Sequence, residues 1–158
     1  MAVAPLSGPG ADDRFDAEEL ARHFSACRLP KALWTHQAHL VVGLWHVTHF
    51  GRDGAMHRLR TGIRRLNDSH GTVNSATSGY HETVTAAYVE LLDQFLAREP
   101  AVSLDEHCAR LLASPLAERN ALFRFYSRAV LMSPRARGET VAPDLAPLSL
   151  DSLYLEVS

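Results

Sequence analysis

From Phe15 onward, apolar positions recur at three- and four-residue spacing, the period of amphipathic helices, punctuated by Gly, Pro and capping residues. A first short helix runs from Asp16 to about Cys27 and stops before Leu29–Pro30. A second starts at Thr35, a helix-capping residue, and ends at Gly51. A third carries Met56, Leu59, Ile63 and Leu66 on one stripe and ends at Gly71. The stretch 72–79 (TVNSATSG) is small, polar and aperiodic, so it reads as a loop. A fourth helix spans Tyr80 to Arg98 and is closed by Pro100. Ser103 and Glu106 form a capping box for a fifth, and Ser114–Pro115 opens a sixth. Ser133–Pro134 repeats that signature for a short seventh turn. Beyond Val141 the proline-punctuated APDLAPL predicts an extended strap, with a final segment left unassigned. No convincing strand alternation precedes Leu148. The prediction is all-α: a single-domain bundle of about six helices (14–158) with an irregular C-terminal strap, behind a flexible N-terminal arm at 1–13.

Composition narrows the classes open to such a bundle. With 158 residues, 46% of them hydrophobic, the chain fills one domain and can bury a core without disulfides. Sixteen basic against eighteen acidic residues give a formal charge of −2, which argues against a nucleic-acid partner or a polybasic membrane anchor. The basic run from His57 to Arg65 alternates its arginines with the apolar stripe, as a solvated helix face does. Cys27 and Cys108 lie in no CxxC pair and read as reduced thiols. The longest apolar stretch, Leu40 to Trp45, is too short to cross a bilayer, and MAVAPLSGPG lacks the regions of a signal peptide. A cytoplasmic location with no membrane partner is the expectation.

Nine histidines are the chemical signal. On the second helix His36, His39 and His46 fall within an arc of roughly 80°, together with Leu40, Gly43 and Val47. His36 therefore lies on the apolar side, and Gly43 leaves room between His36 and His39. His49 points away. On the fourth helix His81 and Thr85 share the inward face with Val84, Tyr88, Leu91, Leu92 and Phe95. The positive helix end there favours neutral imidazole, the form that ligates metals or donates a single N–H. Glu82, at the edge of that face, reads as a ligand, a supporting carboxylate or an acidic first-turn residue. His70 ends the third helix, where it interacts with the helix dipole or approaches the same region. A lone inward histidine is more often a satisfied core residue. An i,i+3 pair joined by a third is a candidate metal site, because converging buried imidazoles need a metal or hydrogen-bond partners.

WTHQAHL (34–40), GYHETVT (79–85) and FYSRAVLMS…VAPDLAPL (125–148) resemble a family of small bacterial proteins of unassigned activity with a WxHxAHL…GYHET…YS…PDL pattern. The similarity runs through nearly all of the chain after Leu33. Relatives often read HEAH in the first motif, whereas this chain has Gln37, so no carboxylate base is expected there. The resemblance points to His36, His39, Asn74, Tyr80, His81, Glu82 and Thr85, and adds Tyr126, Arg137 and Asp144. Core packing for Tyr126, a surface salt bridge for Arg137 and a cap for Asp144 are the structural alternatives.

The leading functional expectation is a small metal-dependent enzyme acting on a small organic molecule between the second and fourth helices. His36, His39 and His81 would hold Fe, Cu, Ni or Zn, with oxidation placed before zinc-type hydrolysis. Tyr80, Glu82 or Tyr126 would move protons, while Asn74, Thr85 and Arg137 would bind substrate beneath the 72–79 loop acting as a lid. The alternatives are a metal-free acid–base catalyst using His36 and His81, and a non-enzymatic small-ligand-binding protein. The helical surface could also support a homodimer.

Overall fold

A computed structural model describes residues 16–100 and 103–155. Seven α-helices are present among them: α1 Ala17–Ser25, α2 His36–Ser69, α3 Glu82–Arg98, α4 Leu104–Leu112, α5 Arg128–Leu131, α6 Pro134–Gly138 and α7 Leu150–Tyr154, with three short 3-10 turns and no strand. The fold is all-α. The N-terminal arm expected at 1–13 lies outside the described residues.

Local chemistry sets most of the boundaries. Asp16, Thr35, Ser103 and Ser133 each accept a backbone N–H from three residues on, at 3.0–3.2 Å, satisfying a donor the first helical turn leaves free. The expected sixth helix does not form. The Ser114 hydroxyl turns back to the Leu111 carbonyl (2.7 Å) instead of capping forward, and the chain makes only short 3-10 turns at Pro115–Ala117 and Ala121–Arg124. The C-terminal segment left open by the sequence contains α7.

The second and third predicted helices are one 34-residue run broken only at Gly51, where φ is +69° and ψ is −179°. Those angles are open essentially to glycine alone. A straight helix would hold Gly43 and Ile63 about 30 Å apart, yet they line one cavity of about 300 Å³. The two limbs, 36–50 and 52–69, therefore bend back toward one another at Gly51. Phe24 of α1 packs so closely on Gly62 that a Cβ there would lie 2.5 Å from its ring. Helix α3 lies against α2, and Leu44, Leu66, Leu91, Leu92, Phe95 and Leu111 are fully buried in the shared core.

The strap expected after Val141 is present, and α3 side chains hold it. The Thr83 hydroxyl donates to the Glu139 carbonyl (2.7 Å) and accepts the Val141 N–H (3.1 Å). Gln94 donates to the Leu148 carbonyl (3.1 Å) and accepts the Leu150 N–H (2.8 Å). Among the described residues no helix is long and apolar enough to cross a membrane.

Candidate functional site

The cavity between α2 and α3 has a largely apolar wall that includes Leu40, Leu59, Ile63, Val84, Val89 and Leu92. Gly43 keeps it open, since a Cβ there would come within 2.9 Å of Leu92 Cδ1. Four polar side chains reach the wall: His36, His39, Thr85 and Tyr88. Trp34 flanks the cavity and stacks on His39 with ring centroids 3.6 Å apart.

The two imidazoles have defined tautomers. His36 Nε2 lies 3.1 Å from the Ala117 carbonyl and His39 Nδ1 lies 2.7 Å from the Thr35 carbonyl. A carbonyl only accepts, so each of these nitrogens carries the proton and the other nitrogen of each ring is bare. Burial lowers the pKa of His36 first of all; its bond to Ala117 partly offsets this and the charge of Arg119 adds to it. For His39, burial again leads, opposed by its bond to Thr35 and reinforced by His36. His39 is nonetheless an exposed residue by surface area, and solvent at its open edge moderates the drop. Both rings are thus neutral bases at neutral pH. The Tyr88 ring stands 6.1 Å from His36, and burial pushes its hydroxyl up to about 12.

His81 lies elsewhere, at the cap of α3. Its Nδ1 accepts the Val84 N–H (3.1 Å) and its Nε2 donates to the Leu131 carbonyl (2.7 Å), so both nitrogens are committed. Burial, ahead of other causes, keeps it neutral. Among the described residues no three His, Cys, Asp or Glu side chains come together as a metal-holding group. The expected set of His36, His39 and His81 is therefore not assembled, because the cap bond turns the His81 ring back onto its own helix.

Several other expected site residues act in the scaffold. Arg60 grips Glu82 with a fork of bonds at 2.5–3.1 Å, and the Tyr80 hydroxyl donates to Glu82 at 2.7 Å. Burial raises the Glu82 pKa, but Arg60, Tyr80 and Arg64 together outweigh it, and the carboxyl ends below its ordinary value. Asn74 donates to the Arg64 carbonyl and to Asp68, and accepts from Asn67 and the Tyr80 N–H. Arg137 donates to the Gly79 carbonyl (2.7 Å). The 72–79 loop, read as a lid or a flexible connection, is therefore pinned near both ends. The Tyr126 hydroxyl donates to the Val141 carbonyl (2.9 Å), and Asp144 accepts the Ser127 N–H. His46 is buried apart from the pair, His49 is exposed, and His70 donates to the Leu29 carbonyl. Of the expected site residues Thr85 is the one that joins His36 and His39 at the cavity, and its hydroxyl donates to the His81 carbonyl (2.9 Å).

Tyr88 and Trp34 were legible in the sequence only as an apolar-stripe position and a motif letter. The signal for Tyr88 was a polar tip one turn beyond Thr85 on the same face. No family model matches this chain, and no curated protein and no solved structure matches it either, so the bacterial family pattern finds no support and adds no residue role.

Proposed function

We propose that the cavity between α2 and α3 binds a small, largely apolar organic molecule carrying one acidic or hydrogen-bonding group, and that His36 takes the proton. One observation carries the reading: a mostly apolar cavity of about 300 Å³ faced by two neutral imidazoles, each with one nitrogen fixed to a backbone carbonyl. Small-molecule sites have this build, an apolar wall with a few placed polar groups. A neutral imidazole that already donates one N–H is a base near neutral pH. In this scheme His36 Nδ1 receives the proton, and Tyr88 donates a hydrogen bond to the negative charge left on the ligand. The reaction class is proton transfer next to a carbonyl, as in an isomerase or lyase. Balanced charge and two free cysteines favour action in the cytoplasm.

Cyclohexanone tests this directly. In Trp45→Phe protein, Trp34 alone reports binding at the cavity, and a saturable fluorescence change is expected. In deuterated water the protein should speed exchange of the ketone's α-protons, and His36→Ala should slow that by about a hundredfold or more. Saturable binding without exchange would leave a ligand-binding protein. No saturable change with cyclohexanone or toluene would end the proposal. A metal-dependent enzyme is the second reading, favoured by the bare nitrogens of His36 and His39. Two protein ligands fall short of the three that catalytic zinc sites use. Near-stoichiometric Fe, Cu, Ni or Zn by elemental analysis, lost in His36→Ala, would put it first.

A further inference from the structure

A second cavity, of about 280 Å³, opens at the Gly51 bend. The first limb of α2 gives it Trp45, His46 and Phe50, and the second gives Arg58 and Arg65; Phe24 of α1 closes the aromatic side. In a straight helix Trp45 and Arg65 would stand about 30 Å apart, so the bend makes this site.

Its charge is one-sided. Among the described residues no acidic side chain lines it. Elsewhere on the same limb, Arg52 pairs with Glu90 and Asp93, and Arg60 pairs with Glu82. Arg58 instead lies over the Phe50 ring, 3.9 Å from its centre, and among the described residues neither Arg58 nor Arg65 meets a carboxylate. The field reaches inward: after burial, the Arg58 charge is among the causes that lower the pKa of the buried His46. His46 donates Nδ1–H to the Val42 carbonyl (2.7 Å) and is neutral, so it adds nothing to the charge of the two guanidiniums, beside which His57 also lines the cavity. The buried indole N–H of Trp45 has no acceptor among the described residues, and an unmet buried donor is costly.

We propose that this cavity binds a small organic anion. Its carboxylate or phosphate would pair with Arg58 and Arg65, and its apolar body would lie against Phe24, Trp45 and Phe50. Arginine suits this task because its planar fork matches carboxylate and phosphate oxygens. The site shares no lining residue with the His36 cavity and does not depend on the function proposed there.

Trp34→Phe protein, in which Trp45 is the sole tryptophan, is titrated with benzoate, phenyl phosphate and neutral benzyl alcohol. The expected result is a saturable change with benzoate or phenyl phosphate that weakens as sodium chloride is raised, with benzyl alcohol at least about tenfold weaker. Arg58→Gln with Arg65→Gln should weaken anion binding by about tenfold or more. Both side chains are exposed, so an unchanged helical circular dichroism spectrum should accompany the loss. Equal affinity for benzyl alcohol, anion binding untouched by the arginine changes, or no saturable change would each overturn the proposal.

Discussion

Seven of the chain's nine histidines place a ring nitrogen against a backbone carbonyl: His36, His39, His46, His49, His70, His81 and His107. Three of these bonds reach back one turn on α2. The others clip separate segments together, His36 to Ala117 and His81 to Leu131 among them. The abundance that suggests chemistry in the sequence is thus largely a set of backbone clips. A pH dependence follows, because the pKa values of His36, His39, His46 and His81 are all lowered, with burial the leading cause. Below their ordinary value of 6.5 the unfolded chain binds more protons than the folded one. Stability therefore declines as pH falls from about 6.5 down through the lowered values. Thermal melts between about pH 7.5 and pH 5 should show the midpoint dropping, and a flat profile would refute this assignment. His81→Asn keeps a capping acceptor but cannot titrate, so its profile should be shallower.

At the scale of elements, what the sequence makes legible is what its neighbours decide. Asp16, Thr35, Ser103 and Ser133 cap as their letters suggest, because the donor they satisfy lies three residues on. Ser114 carries the same letter but bonds backward, and it opens a 3-10 turn instead of an α-helix. The angular reading of the second helix put His36, His39, His46 and Gly43 on one side; the cavity has His36, His39 and Gly43, while His46 lines the cavity at the Gly51 bend. It failed for His81 because a residue at the cap, one place before the helix, bonds the backbone instead of facing the core. Partners far along the chain left no local trace: Glu82 with Arg60, Arg137 with Gly79, Tyr126 with Val141. Gly51 was visible as a stop, but its angles, and hence the fold-back, were not. Gly51→Ala should destabilise by about 1–3 kcal/mol from backbone strain alone, since a Cβ there meets nothing within 4 Å. Gly138→Ala, equally open and without positive φ, is the control and should be near neutral in the same denaturant titration.

For the whole molecule, α3 is the common wall. It faces the His36 cavity through Val84, Thr85 and Tyr88. It also holds the strap through Thr83 and Gln94, and pairs Arg98 with Asp151 of α7 at 2.6 Å. Thr83→Val keeps the shape but leaves the Glu139 carbonyl and the Val141 N–H without their partner, which should cost about 1–3 kcal/mol. Denaturant unfolding measures this loss, and a neutral result would mean that water replaces the hydroxyl.

The bend at Gly51 also has a kinetic meaning. Gly43 and Leu59 meet at one cavity although only 16 positions separate them, whereas Thr83 and Glu139 are 56 apart. Loop-closure entropy grows with the logarithm of loop length, so joining the strap to α3 costs roughly 1 kcal/mol more than folding the two limbs together. The fold-back of the two limbs is built from contacts near in sequence and can form early, while α3 and the strap, tied by longer loops, dock onto it afterwards.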